Sequence, residues 1–207
     1  MDAVNPQPTR RPTLRAERAE VTRRRIADAA RRRFLRDGYA ATTLRDVAAE
    51  AGGAVQTVYA GYGSKAGILR TLRDLAVDQP EAGASFAGAM AAGSAGGALD
   101  RFARSIRLRW ELAGDIVTIL GDAATADPAI RREVDVALDA RRRGIGAFAA
   151  VLCERFDLEL DPGRAATILL GLTLPELHAE VTGPGAWSQD DYEAWLATCL
   201  RRELLGS

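Results

Sequence analysis

The side chains of this chain that are best suited to chemistry gather in one stretch, TTLRDVAAEAGGAVQTVYAGYGSK, from Thr42 to Lys65. None is a nucleophile set beside a base. Gln56 offers an amide that donates and accepts side by side, and Thr43, Thr57, Tyr59 and Tyr62 offer hydroxyls. Lys65 is the chain's only lysine. Such groups recognise rather than react: an amide can read an adenine edge with two hydrogen bonds, and hydroxyls and cations reach phosphates. The rest of the inventory points the same way. His178 is the only histidine, and Cys153 and Cys199 have no CxxC spacing. No Cys/His metal site can be assembled from them, and no metal or cofactor is expected. Without a nucleophile–base pair or a cofactor fingerprint, an enzyme is not expected either.

The elements that must position these groups follow from spacing. Leu44, Val47, Ala48 and Ala51 share one helical face. Thr43 is a good N-cap, and Asp46 three residues on completes a T-x-x-D capping box. Gly52 and Gly53 can stop that helix and turn sharply. A second short helix, from Val55 to Ala60, then holds Val55, Val58 and Tyr59, with Gln56 and Thr57 near its N-terminal end. This pattern predicts a helix-turn-helix over about 43–62, whose second helix lays its first turn in a major groove. Ser64 caps the next helix, where Lys65 and free backbone N–H groups can converge on an anion. Ile68, Leu69, Leu72 and Leu75 stripe that helix. Upstream, a long helix from about 17 to 37 buries Ile26, Ala29, Ala30, Phe34 and Leu35, and Arg23–Arg25 and Arg31–Arg33 crowd its other faces.

Net charge is zero, but it is unevenly spread: residues 1–75 hold 15 Lys+Arg against 8 Asp+Glu, and 76–207 hold 13 against 20. That asymmetry is the footprint of a nucleic-acid-binding end on a solvated body.

Over residues 22–72, RRRIADAARRRFLRDGY, TTLRDVAAEAG and TVYAGYGSKAGIL occur in an order and spacing that resemble the DNA-binding domain of TetR-type (tetracycline-repressor-like) transcriptional regulators. The tail LTLPELHAEVTGPGAWSQDDYEAWLATCL resembles an actinobacterial-type subgroup of that family with uncharacterised ligand domains. The resemblance implies a homodimer, joined through the last two helices as a four-helix bundle. It implies two recognition helices on a pseudo-palindromic double-stranded operator, release by a small-molecule effector, and repression as the commoner outcome. It also implies that Lys65 grips a phosphate. Two positions depart from the family's habit: Gly53 stands where an aliphatic is usual, and Ala54 where a Ser or Thr caps the recognition helix. An Ala cap weakens a helix by about 0.5–2 kcal/mol.

The DNA-binding set expected is therefore Thr43, Gln56, Thr57, Tyr59, Tyr62 and Lys65. A dimeric helical scaffold, or an effector-independent DNA-binding protein with a weakened motif, is the competing reading, and Gly53 and Ala54 speak for it.

The remaining chain divides as follows. Residues 1–16, with three prolines and three arginines, predict a disordered basic arm, either touching DNA or merely solvated. Residues 17–78 form the DNA-binding domain. Residues 79–97, mostly Ala, Gly and Ser, read as a flexible linker. Residues 98–207 form the ligand-binding and dimerisation domain. There Leu99, Phe102, Ile106 and Trp110 make one stripe, and a second segment follows Gly114. A long helix opens at Pro128, and a mostly apolar one runs from Arg164 to about Thr182, kinked at Pro175. A helix apolar nearly all round is covered on two sides, and a second copy is the simplest second cover. The interface set is Leu170, Leu174, Trp195, Leu196 and Cys199. Arg107, Trp110, Glu176 and His178 are pocket candidates, although Trp110 reads first as core, His178 first as a core or interface residue, and the other two equally as surface.

With no strand signal, the fold expected is all-α, about nine helices, the N-terminal three-helix domain joined to the body by a connecting helix. No signal peptide or membrane span is apparent, so a cytoplasmic protein is expected.

Overall fold

Ten α-helices and no strand occur among residues 14–77 and 79–206, which the computed structural model describes. The arm expected over 1–16 lies outside the described residues, apart from its last three positions, which begin α1 (Leu14–Asp37). The head continues with α2 (Leu44–Glu50), α3 (Val55–Tyr62) and α4 (Lys65–Val77). The body holds α5 (Pro80–Met90), α6 (Ala95–Ala126), α7 (Pro128–Arg155), α8 (Pro162–Leu172), α9 (Pro175–Val181) and α10 (Gln189–Leu205).

Three elements differ from the sequence expectation. The linker over 79–97 is a helix followed by a short turn, not a flexible tether. Pro80 occupies the first turn of α5, a position that needs no N–H, and Ala82 and Ala89 are buried. Its small residues serve close approach: a Cβ on Gly88 would come within 3.0 Å of the Arg101 Nη1 on α6. Phe86 reaches across to Phe102 and Phe148, which stack at 4.7 Å. The break expected at Gly114 is absent, and α6 runs unbroken for 32 residues. Conversely, the single kinked helix over 164–182 is two helices. Leu174, ahead of Pro175, is extended (φ −65°, ψ 138°), as a residue before proline prefers to be.

The length of α6 organises the molecule. Its first half supplies Leu99, Phe102, Ala103, Ile106 and Trp110 to the body core, beside Phe148, Leu152, Leu169, Tyr192, Leu196 and Leu200. Its second half supplies Ile116, Ile119, Ala123 and Ala124 to the head core, with Ile26, Phe34, Val47, Val58, Ile68 and Leu72. One helix is thus shared by two cores. Polar struts reinforce the head junction. Arg31 makes a two-pronged ion pair with Asp115 at 2.5 and 2.6 Å, the Tyr39 N–H donates to the Asp122 carboxylate at 2.7 Å, and Arg70 and Arg73 both reach Glu133 on α7.

Candidate nucleic-acid interface

The helix-turn-helix forms for the local reasons its residues suggest. The Thr43 hydroxyl donates to Asp46 Oδ2 at 2.6 Å and accepts the Asp46 N–H, while the carboxylate accepts the Thr43 N–H. Those bonds from Thr43 hold the Asp46 carboxyl below its ordinary range. At the other end of α2, Gly52 adopts φ +63°. Its N–H donates to the Ala49 carbonyl and that of Gly53 to the Ala48 carbonyl, the paired bonds of a Schellman stop. Gly53 itself has ordinary φ, and a Cβ there would meet only Arg25 Nη2, at 3.9 Å. No aliphatic plugs the turn at this position.

The second helix, α3, is pinned by one residue and open on the rest. Val58 is 1% exposed in the head core, whereas Gln56, Thr57 and Tyr59 all face solvent, Tyr59 at 55%. Ala54 sits at the N-cap with extended backbone and gives no side-chain hydrogen bond. Behind α3, a Cβ on Gly67 of α4 would collide with the Tyr62 backbone carbonyl, so only glycine allows that crossing.

The six residues expected to touch DNA do not share one surface. Gln56, Thr57 and Tyr59 stand together on the open face. Tyr62 does not present its hydroxyl outward: it donates to the Arg23 carbonyl at 2.7 Å, and Arg23 lies over its ring. Burial pushes that phenol's pKa up. Lys65 likewise does not stand free at its helix end. Its ammonium donates to the Tyr39 and Ala40 carbonyls at 2.7 and 3.1 Å and sits 4.6 Å from the Tyr39 ring centre, its pKa lowered by burial. The physical reason is the chain leaving α1, which turns two carbonyls toward the only lysine in reach. Thr43 is exposed, but its hydroxyl proton is already given to Asp46.

The arginines sort themselves in the same way. Arg31 goes to Asp115, and Arg32, Arg33 and Arg36 go to Glu50 and Asp37. Arg23, Arg24 and Arg25 on the first half of α1, and Arg45 on α2, remain exposed. Arg23 lies over the Tyr62 ring at the end of α3, and Arg25 Nη2 comes near Gly53 in the turn before it.

In the body the expected residues scatter. Arg107 is spent on Glu111 and Glu193, at 2.7 and 3.0 Å. Glu176 is exposed. Trp110 and His178 are buried near each other, both close to Gly114. The indole N–H of Trp110 donates to the Thr173 carbonyl at 3.1 Å. His178 Nε2 pairs with Gln189 Oε1 at 2.8 Å, and its ring meets Tyr192 edge-on. Of the interface set, Leu196 is a correction: it is 0% exposed within the single chain, because α10 turns that residue into the body core. Leu170 is half-buried against that core, and Leu174 is exposed. Trp195 and Cys199 line a groove between α8 and α10, with Ile168, Gly171, Leu172 and Arg202.

Two residues that nothing in the sequence singles out also meet here. Arg109 and Arg141 are half-buried on α6 and α7, and Arg141 lies over the Trp110 ring. They are two among 27 arginines, so only tertiary placement marks them.

Residues 26–72 match the sequence profile of bacterial regulatory proteins of the tetR family. No curated protein matches the chain. The fold is that of several solved regulators. A TetR family transcriptional regulator, PfmR from Thermus thermophilus, is 22% identical over 92% of this chain and 97% of its own, with a TM-score of 0.65. NalD, the secondary repressor of the MexAB-OprM multidrug efflux pump in Pseudomonas aeruginosa, is 21% identical over 91% and 98%, at 0.67. The ketosteroid transcriptional regulator KstR2 of Mycobacterium tuberculosis is 18% identical over 86% and 92%, at 0.65.

Proposed function

We propose that this chain is a DNA-binding transcriptional regulator of the tetR family and that it reads its operator with Gln56, Thr57 and Tyr59. The observation that carries this is their common exposure on α3, with Val58 locked beneath them. Gln56 is suited to an adenine edge, and Thr57 to a base or a phosphate. Tyr59 offers a hydroxyl to phosphate. Arg23, Arg25 and Arg45 supply the non-specific electrostatic share. Thr43, Tyr62 and Lys65 act one step back, holding α2, α1 and the loop after α1 in register.

Two copies would pair across the α8–α10 groove, with Trp195, Cys199 and Leu174 in the contact, and so set the spacing of half-sites on a pseudo-palindromic duplex. Repression relieved by a small molecule is the output proposed. The shared helix supports it: Trp110 in the body and Asp115 at the head lie within two turns of one another on α6. A ligand that favours one setting of α6 would bias the angle of both heads, and it can do so only through differing affinity for the two settings.

A mobility-shift assay on the DNA upstream of the chain's own gene tests the reading at fixed salt. Specific retention by the wild type, lost in Tyr59→Ala, is the expected result. Equal retention of every duplex, or a strictly monomeric chain, would refute it. The bare Ala54 cap favours a softer interaction than a Ser or Thr there would give.

A further inference from the structure

The body core holds a polar cluster whose charges do not balance. Arg141 on α7 gives its Nη2 to the Thr173 carbonyl and hydroxyl, both at 2.8 Å, and more weakly to the Leu170 carbonyl. Among the described residues it has no carboxylate partner. Neither has Arg109 on α6, which makes no hydrogen bond there at all. Burial lowers the pKa of both guanidinium groups, and Arg109 adds its repulsion to that of Arg141. A lysine in such a place could shed its proton; a guanidinium cannot, so the two positive charges stay. Glu176, whose carboxylate charge acts on Arg141, is exposed and forms no ion pair with it. Beside Arg141 the Tyr192 ring is fully buried, and among the described residues its hydroxyl has no hydrogen-bond partner. A fully buried hydroxyl is rarely left unpaired, and this one lies beside Arg141, a part-buried cation that no carboxylate meets among the described residues. The walls are aromatic: Trp110, Tyr192 and the edge of His178.

We propose that this cluster is the effector site and that the effector is an organic carboxylate, its anionic head held by Arg109, Arg141 and the Tyr192 hydroxyl and its apolar part against Trp110. A carboxylate fits because it offers several lone-pair sites to guanidinium and hydroxyl donors at once. The site is joined to the head by its own helices. Arg109 stands six residues before Asp115, the partner of Arg31, and the Thr173 carbonyl that Trp110 and Arg141 share is freed by the break at Pro175. The inference rests on effector-controlled DNA release and names the chemistry of that effector.

The test uses the full chain and two readouts, the thermal midpoint and tryptophan fluorescence. The probes are sodium benzoate and the straight-chain carboxylates from acetate to decanoate, their methyl esters, and sodium phosphate at matched ionic strength. At least one carboxylate should raise the midpoint by several degrees while its ester and phosphate do not. Tyr192→Phe keeps the ring and should weaken that carboxylate about 10-fold. Arg109→Met should abolish the response while leaving the ligand-free midpoint unchanged or higher, since it removes an uncompensated charge. Loss of ligand-free stability in Arg109→Met, with the response intact, would overturn the proposal. So would an equal effect of ester and acid, or silence across the whole carboxylate series. If a neutral or cationic compound instead releases bound operator, the anion site is wrong and effector control survives.

Discussion

The head and the body of this molecule use arginine in opposite ways. In the head, Arg31, Arg32, Arg33 and Arg36 each meet a carboxylate, and the side chains proposed to read DNA are exposed, with no side-chain partner among the described residues. In the body, Arg109 and Arg141 are half-buried and meet no carboxylate among the described residues, while Arg107, on the same helix as Arg109, takes two. A partner that arrives as a long polyanion needs an exposed, rigid surface. A small ligand needs groups already desolvated and waiting. The contrast teaches that the first kind of site is recognised by what it presents and the second by what it leaves unpaired.

The largest effect expected breaks the head alone. Gly67→Ala forces a side chain into the Tyr62 carbonyl and should cost about 3 kcal/mol, read as a fall in the thermal midpoint together with loss of operator binding. Next, Gln56→Ala and Tyr59→Ala should each weaken specific binding by about 1–3 kcal/mol. Their thermal midpoints should hold, since exposed substitutions change stability by only about 0.5 kcal/mol. A matching loss of stability in those variants would show that the face is structural. Arg31→Leu tests the seam between the two regions. It removes a part-buried, two-pronged ion pair and should cost about 1 kcal/mol of stability, with a weaker effect of ligand on DNA retention. If ligand control were untouched in that variant, Asp115 would not be the relay. Ala54→Ser should add about 1 kcal/mol by capping α3, and the gain should appear in DNA affinity as well as in the midpoint. Smallest is Gly53→Ala, where φ is ordinary and the added Cβ has room. It should stabilise the head by about 0.5 kcal/mol without altering which duplex is retained.

Local rules carried the head nearly whole. The Thr43–Asp46 box, the Gly52 stop and the buried Val58 all follow from residues within a few positions of one another, so they are legible in one dimension. What local rules missed in the head are the internal partners of Tyr62 and Lys65, whose polar ends meet Arg23, Tyr39 and Ala40, 25 or more residues away. In the body the same limit misread more. The Ala/Gly/Ser composition of 80–90 looks loose until α6 is laid against it, when small side chains become the condition for close packing. Gly114 looks like a break but lies inside the unbroken α6, close to His178.

From its sequence alone this chain was destined to be all helical, with a basic head carrying a helix-turn-helix and Gln56, Thr57 and Tyr59 on its outward helix. Periodicity, caps and charge are short-range properties, and they suffice for that. Which arginines would be paired, which carbonyl the Pro175 break would free, and that one helix would serve two cores were settled only by the packing of α6 against α7, α9 and α10. Desolvation and charge balance depend on neighbours from every direction, and no stretch of sequence contains them.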